Sequence, residues 1–180
     1  MQKTLILISL FITFQTFSQS KEKFKPGVKV ITLEKVEGYQ KPASILFVFE
    51  GHTHLVSFFL DLESHLKKRF KKEIKKGLKL DFKYELYAKE AFESDLALIP
   101  KRNFSKNQYE VISYISISDF KGWDDHLFKK RKQNYNLNVI LKDSDTNQLL
   151  KLILNASNYF TISRSNKKSS KLIYKHLIEQ

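Results

Sequence analysis

The sequence predicts an α+β, two-layer fold: a mixed β-sheet of about five to six strands, with a long amphipathic helix and a C-terminal helix packed mainly on one face. Three observations carry this expectation. Ile45-Leu-Phe-Val-Phe49 is an unbroken apolar run between turn formers, the signature of a strand buried on both faces. Over residues 57–76, Phe58, Phe59, Leu62, Leu66, Phe70 and Ile74 recur every three or four positions, as on the buried stripe of a helix. Two apolar segments, 136–142 and 149–154, flank the polar turn formers Asp143-Ser-Asp-Thr-Asn-Gln148, which predicts a hairpin.

The first residues have a different character. Lys3 precedes the ten apolar-rich residues from Leu5 to Phe14, and the small residues Thr16 and Ser18 follow, the arrangement of a cleavable signal peptide over 1–18. About 20 apolar residues are needed to cross a bilayer, so the run is too short for an anchor. Cleavage after Ser18 leaves Gln19 as the first residue of an exported chain, periplasmic or secreted, without a transmembrane anchor.

A polar linker (19–28) containing Pro26-Gly27 leads into a single domain over 29–180. Val30, Ile31, Leu33 and Val36 mark a first strand over 29–36, and the apolar run 45–49 is expected at the centre of the sheet. The helix of 57–76 ends on lysines and Gly77, whose freedom to adopt positive φ suits a helix terminus. Phe82, Tyr84 and Leu86 alternate through 81–87, completing a β-α-β unit. Residues 89–108, with Pro100, read as irregular apart from a short strand at 96–99; 109–118 reads as a strand. A charged connection over 119–133 holds Trp123 and the basic run 129–132. After the hairpin come an extra strand near 159–162 and a final helix capped by Ser169, with Leu172, Ile173 and Leu177 inward.

This order, with Ser94-Asp-Leu-Ala-Leu98 before a strand and a hairpin over 137–156 tipped by Asp143-Ser-Asp-Thr146, resembles small periplasmic α/β domains of cell-envelope proteins. They include the amino-terminal domain of the Tol-system propeller protein and lipoprotein families of unknown function. The hairpin tip in such families often reads D-x-x-T-G; here Asn147 replaces the glycine, and the lipoprotein cysteine is missing. The resemblance spans roughly residues 43–180 and implies an accessory envelope role, with no functional residue carried over.

Composition removes several classes of chemistry. The 180 residues include no cysteine, which excludes a disulfide scaffold, a thiolate zinc site, a cysteine nucleophile and an amino-terminal lipid anchor on cysteine. With 42% hydrophobic residues the chain can bury a core of its own. Scattered glycines give no phosphate loop or dinucleotide fingerprint, and no G-x-S-x-G elbow occurs. A triad remains conceivable only as residues assembled in space. His52 and His54 would chelate a metal if both rings pointed one way, with Glu50, His65 or His126 as a third ligand. Their spacing matches no zinc motif, so solvated turn histidines are the expectation, with no metal and no cofactor. Glu50 with Asp61, and Asp124 with Asp125, read as exposed acids at loop and helix starts rather than catalytic pairs.

Charge is the remaining signal. The formal net charge is +13, and Lys67 to Lys76 holds seven basic residues and one acidic. If Phe70 and Ile74 are buried, Lys68, Lys71, Lys72 and Lys75 form an outward basic face, suited to an acidic envelope protein, anionic lipid headgroups or an acidic glycan. Export and the lack of a recognisable motif argue against nucleic acid. The expectation is a non-catalytic envelope accessory or binding module. A small exported hydrolase and a structural envelope component without a discrete ligand are the alternatives.

Overall fold

The computed structural model describes residues 26–87, 105, 108–121, 133–159 and 161–179. Six strands form one mixed sheet: β1 (Gly27–Lys35), β2 (Ser44–His52), β3 (Lys79–Tyr87), β4 (Val111–Lys121), β5 (Gln133–Asp143) and β6 (Gln148–Tyr159). Among the described residues the two long helices are α1 (Val56–Lys75) and α2 (Ile162–Ile178), and a single 3-10 turn, Thr53–Leu55, joins β2 to α1. The spatial order is β1-β6-β5-β4-β2-β3. β2 runs parallel to both β3 and β4, and the remaining pairs are antiparallel. This is the expected α+β class.

Both helices lie on one face of the sheet. Phe47 and Phe49 of β2, Val139 of β5 and Leu152 of β6 share a continuous core with Phe59, Leu66 and Phe70 of α1 and Ile173 and Leu177 of α2. Phe47 stacks on Phe82 at 5.4 Å and meets Phe70 edge-on at 5.8 Å, while Phe49 stacks on Phe59 at 5.0 Å. Each such pair contributes about 0.5–1.5 kcal/mol beyond its area burial. On the opposite face Leu46 and Val48 pack with Tyr109 and Ile112, which is why the β2 run is apolar at every position. β5 and β6 instead alternate between buried positions toward the helices and half-buried ones on the other side.

Several expectations are corrected. β2 is buried on both faces but is not central: β4 and β5 are, and β2 stands next to the edge strand β3. An apolar run reports burial above and below the sheet and is blind to lateral position. β1 begins at Gly27, inside the segment read as linker, and a bulge between Val30 and Thr32 turns Ile31 outward. No separate strand forms near 159–162, because β6 continues to Tyr159 and α2 starts at Ile162. Ser169 therefore caps nothing; it lies buried inside α2 with Ser165, Asn166 and Ser170. These small polar residues form the inward side of the helix, a side that hydrophobic periodicity does not register. The signal-peptide segment, the 96–99 strand, Trp123 and the run 129–132 fall outside the described residues.

The α1 stripe also differs by one residue: Glu73 is buried and Ile74 is 42% exposed. Glu73 accepts hydrogen bonds from Lys41 and from the Tyr174 hydroxyl of α2 (3.4 Å), with Lys76 at 3.5 Å. Glu63, also buried, accepts from Lys67 and the Tyr84 hydroxyl. Lysine and tyrosine partners thus let two carboxylates occupy inward positions, Glu73 beside the Ile74 that was expected to be buried. At the helix end, the Gly77 N–H reaches the Ile74 carbonyl and the Leu78 N–H that of Glu73, with Gly77 at φ +101°. This paired closure is the Schellman motif.

Two predictions follow from the packing. Val48 is wholly buried, and an unpaired charge there costs several kcal/mol, comparable with total stability. Val48→Lys should leave no soluble folded protein, as judged by solubility and circular dichroism. The Lys41 hydrogen bond holds the Glu73 carboxyl below its ordinary value of 4.5, against the opposing effect of burial. A carboxyl depressed in the folded state stabilises above its unfolded value, and that stability is lost as pH falls through the folded value. Lys41→Met should lower the melting temperature at pH 7, and should lose less on acidification below pH 4.5 than the parent protein does.

Candidate functional site

The basic face is built by helix periodicity. With Phe58, Leu62, Leu66 and Phe70 turned to the sheet, positions 68, 71, 72 and 75 fall on the opposite side of α1. Lys68, Lys71, Lys72 and Lys75 are all exposed, and none makes an ion pair among the described residues. Lys67 and Lys76, on the flanks, are the lysines of this stretch drawn to the buried carboxylates Glu63 and Glu73.

The structure adds a second stripe to this face. α2 packs beside α1 on the same side of the sheet, its Asn166 amide donating to the Phe58 carbonyl (3.1 Å) and to Asp61 (3.0 Å). Arg164, Lys167, Lys168, Lys171 and Lys175 are exposed on α2, again at i, i+3, i+4 and i+7 spacing, opposite its buried Ile173 and Leu177. Together the two helices hold eleven basic and three acidic side chains, a surplus of eight in a chain whose whole surplus is 13. Two of the three acids point inward. The α2 stripe was present in the sequence as five basic residues without an acid. It was missed because those residues precede the helix start that the sequence suggested or lie beside it.

At the C-terminal end of β2, His52 and His54 come together. Their Nδ1 atoms are 2.7 Å apart and their rings 4.5 Å centre to centre, and the His54 backbone N–H also faces the His52 Nδ1 at 3.3 Å. Tyr87 of β3, the register partner of His52, places its ring 5.8 Å away. Gly51 makes the approach feasible: it adopts φ +153°, and a Cβ there would stand 3.2 Å from Leu55 Cδ1. Of the third ligands considered, His126 lies outside the described residues, and no cluster of three metal-binding side chains occurs among the described ones.

Glu50 and Asp61 do not form a catalytic couple. Asp61 belongs to the helical layer, whereas Glu50 lines a cleft of about 390 Å³ on the other side of the sheet with Glu85, Tyr114, Ile140 and Lys142. Glu50 and Glu85 are register partners on parallel strands, a pairing that sequence separation hides. Asp124 and Asp125 lie outside the described residues.

The fold does assemble an aspartate, a histidine and a serine. His65 Nε2 lies 3.1 Å from Ser163 Oγ and 3.7 Å from Asp61 Oδ2. A catalytic relay requires the carboxylate on one ring nitrogen and the hydroxyl on the other, so that the imidazole can pass a proton between them. Here both partners meet the same nitrogen. The cluster ties α1 to α2 and has no relay geometry.

No helix among the described residues is long and apolar enough to cross a membrane. No family model matches the chain, and no curated protein is similar to it in sequence. Solved structures are similar in fold. PelC from Paraburkholderia phytofirmans, a dodecamer solved in space group P6, shares 9% identity at a TM-score of 0.52, over 87% of this chain and 100% of PelC. A single-residue variant of that dodecamer in space group C2 gives 8% identity with the same coverage and TM-score. A neuraminyllactose-binding hemagglutinin homolog from Helicobacter pylori matches 81% of this chain and 90% of its own at 11% identity; its TM-score of 0.39 is too low to support any argument. At these identities the likeness to PelC is one of fold.

Proposed function

We propose that the chain is an exported, non-catalytic binding module of the cell envelope that docks on an anionic membrane surface through the outer face of its helical layer. The observation that carries the reading is the pair of parallel basic stripes, Lys68, Lys71, Lys72 and Lys75 on α1 and Arg164, Lys167, Lys168, Lys171 and Lys175 on α2. At 1.5 Å per residue each stripe belongs to a helix roughly 25–30 Å long, with helix axes about 8–10 Å apart. That shape is broad and shallow, which suits a plane of headgroups better than one bound chain. The amino-terminal segment read as a signal peptide and the likeness to small envelope domains support the location. The Asp61, His65 and Ser163 geometry speaks against the hydrolase alternative.

A second observation favours self-association. The edge strand β1 and the residue after it expose Val30, Ile31, Leu33 and Val36 to between 37% and 54%, beside edge backbone that pairs with no other strand among the described residues. Such an edge invites another strand. PelC, with a similar fold, is a dodecamer. Repetition of a weak basic face in one assembly would raise its overall affinity by avidity.

Docking is tested by sedimentation with vesicles of neutral or mixed anionic lipid, and with an acidic polysaccharide as a separate arm. Each basic residue near an anionic surface contributes about 1 kcal/mol, so reversing Lys68, Lys71, Lys72 and Lys75 to Glu should weaken vesicle binding at least on the order of a thousandfold. Circular dichroism and melting temperature should hardly change. Raising salt from low to physiological should weaken binding steeply, since screening acts within about 8 Å at 0.15 M. Binding to the polysaccharide alone would reassign the partner, and equal binding by the reversed protein would reject the face. For self-association, light scattering should give a mass several times that of one chain, and Ile31→Lys with Leu33→Lys should reduce it to a monomer.

A further inference from the structure

The imidazole pair at the end of β2 is separate from the basic face and is not used by the reading above. We infer that His52 and His54 form a two-nitrogen chelate for a divalent late transition metal, best suited to Cu²⁺, at the surface of the protein.

The geometry carries the inference. Two Nδ1 atoms 2.7 Å apart are already at the separation a chelate needs. With metal–nitrogen bonds of about 2.0 Å, cis ligands at a right angle are about 2.8 Å apart, and tetrahedral ligands about 3.3 Å apart. The observed spacing is that of a hydrogen bond and shows that the two rings can converge on one point; the preference for copper over zinc follows from the general affinity order of imidazole sites. The ring centres, 4.5 Å apart, are closer than two rings aimed straight at each other through those nitrogens would be, so the Nδ1 atoms lean together.

Proton accounting is simple. The His54 backbone N–H points at the His52 Nδ1, which makes that nitrogen an acceptor, and the proton in the Nδ1 to Nδ1 contact belongs to His54. Metal binding moves this proton to the His54 Nε2, and at the His52 Nδ1 the ion takes the place of both N–H donors, the His54 backbone N–H turning to water. Nothing is oxidised or reduced. The pair is accessible, His54 being exposed and His52 half-buried. Strand alternation puts Glu50 and Glu85, two residues before His52 and Tyr87, on the same side of the sheet, where they offset part of the positive charge of the chain. The remaining coordination positions are left to water, which makes the site an exchangeable one rather than a requirement for folding.

The test is titration of the untagged full chain with Cu²⁺ in a non-coordinating buffer, followed by calorimetry and electron paramagnetic resonance. One ion per chain is expected, with a tetragonal signal and coupling to two imidazole nitrogens. His52→Ala and His54→Ala should each weaken binding at least tenfold and remove one nitrogen from the coupling pattern. His54→Gln, which keeps size and polarity, should do the same, so a folding defect cannot imitate the loss. His65→Ala and His176→Ala should leave the affinity unchanged. Retention of full copper affinity by the His52→Ala, His54→Ala double variant would overturn the assignment. So would the absence of binding by the parent chain, or zinc binding as tight as copper binding.

Discussion

The contact of Phe47 and Phe49 with Phe59, Phe70 and Phe82 decides which way α1 is turned, and much of the rest follows from that orientation. A helix that buries one stripe against a sheet must show the opposite stripe to solvent. The lysines at 68, 71, 72 and 75 are therefore a surface because the phenylalanines are a core. The same seam fixes the C-terminal end of β2 beside the start of α1, where Gly51 allows the close turn that brings His52 and His54 together.

Polar groups inside the helical layer complete the arrangement. Glu63 and Glu73 are drawn inward by Lys67, Tyr84, Lys41 and Tyr174, which removes two negative charges from the outer face and concentrates its positive potential. α2 turns Ser165, Asn166, Ser169 and Ser170 inward, small enough for close packing; Ser165 and the Asn166 amide nitrogen find backbone and side-chain partners there. The Tyr135 hydroxyl donates to Ser165, whose own hydroxyl donates to the Ile162 carbonyl, tying the sheet to the first turn of α2. Burial accordingly pushes the Tyr135 hydroxyl well above its usual range. The hairpin tip is held in a comparable way: Asp143 accepts from the side chain and backbone of Asn147, so its carboxyl lies below the ordinary range.

A broad basic surface and an exposed imidazole pair are weak sites taken one at a time. Exposed charges are screened by salt, and two ligands hold a metal less firmly than three or four. Repetition strengthens both without new contacts. A sheet whose edge strands, among the described residues, are β1 and β3, the first lined with exposed apolar residues, is suited to such repetition.

Much of the architecture was legible in the sequence because it rests on periodicity: the both-faces-buried run 45–49, the 3.6-residue stripe of α1, the alternation of β3 and the polar tip between β5 and β6 all survive in the structure. The α1 half of the basic face was legible for the same reason. What hydrophobic pattern leaves open was settled by tertiary contacts. Position 73 is buried because Lys41 and Tyr174, distant in sequence, satisfy its charge, and the first turns of α2 are held by bonds of Ser163, Ser165 and Asn166 to His65, Tyr135, Phe58 and Asp61. Lateral strand order, the pairing of Glu50 with Glu85 and the second basic stripe depend on which elements become neighbours. Local sequence determined which side of each element is buried, since that depends on side chains one turn or one pleat apart. Only the folded chain decided what each side meets, since that depends on residues far away in sequence, 138 positions in the hydrogen bond from Tyr39 to the Leu177 carbonyl.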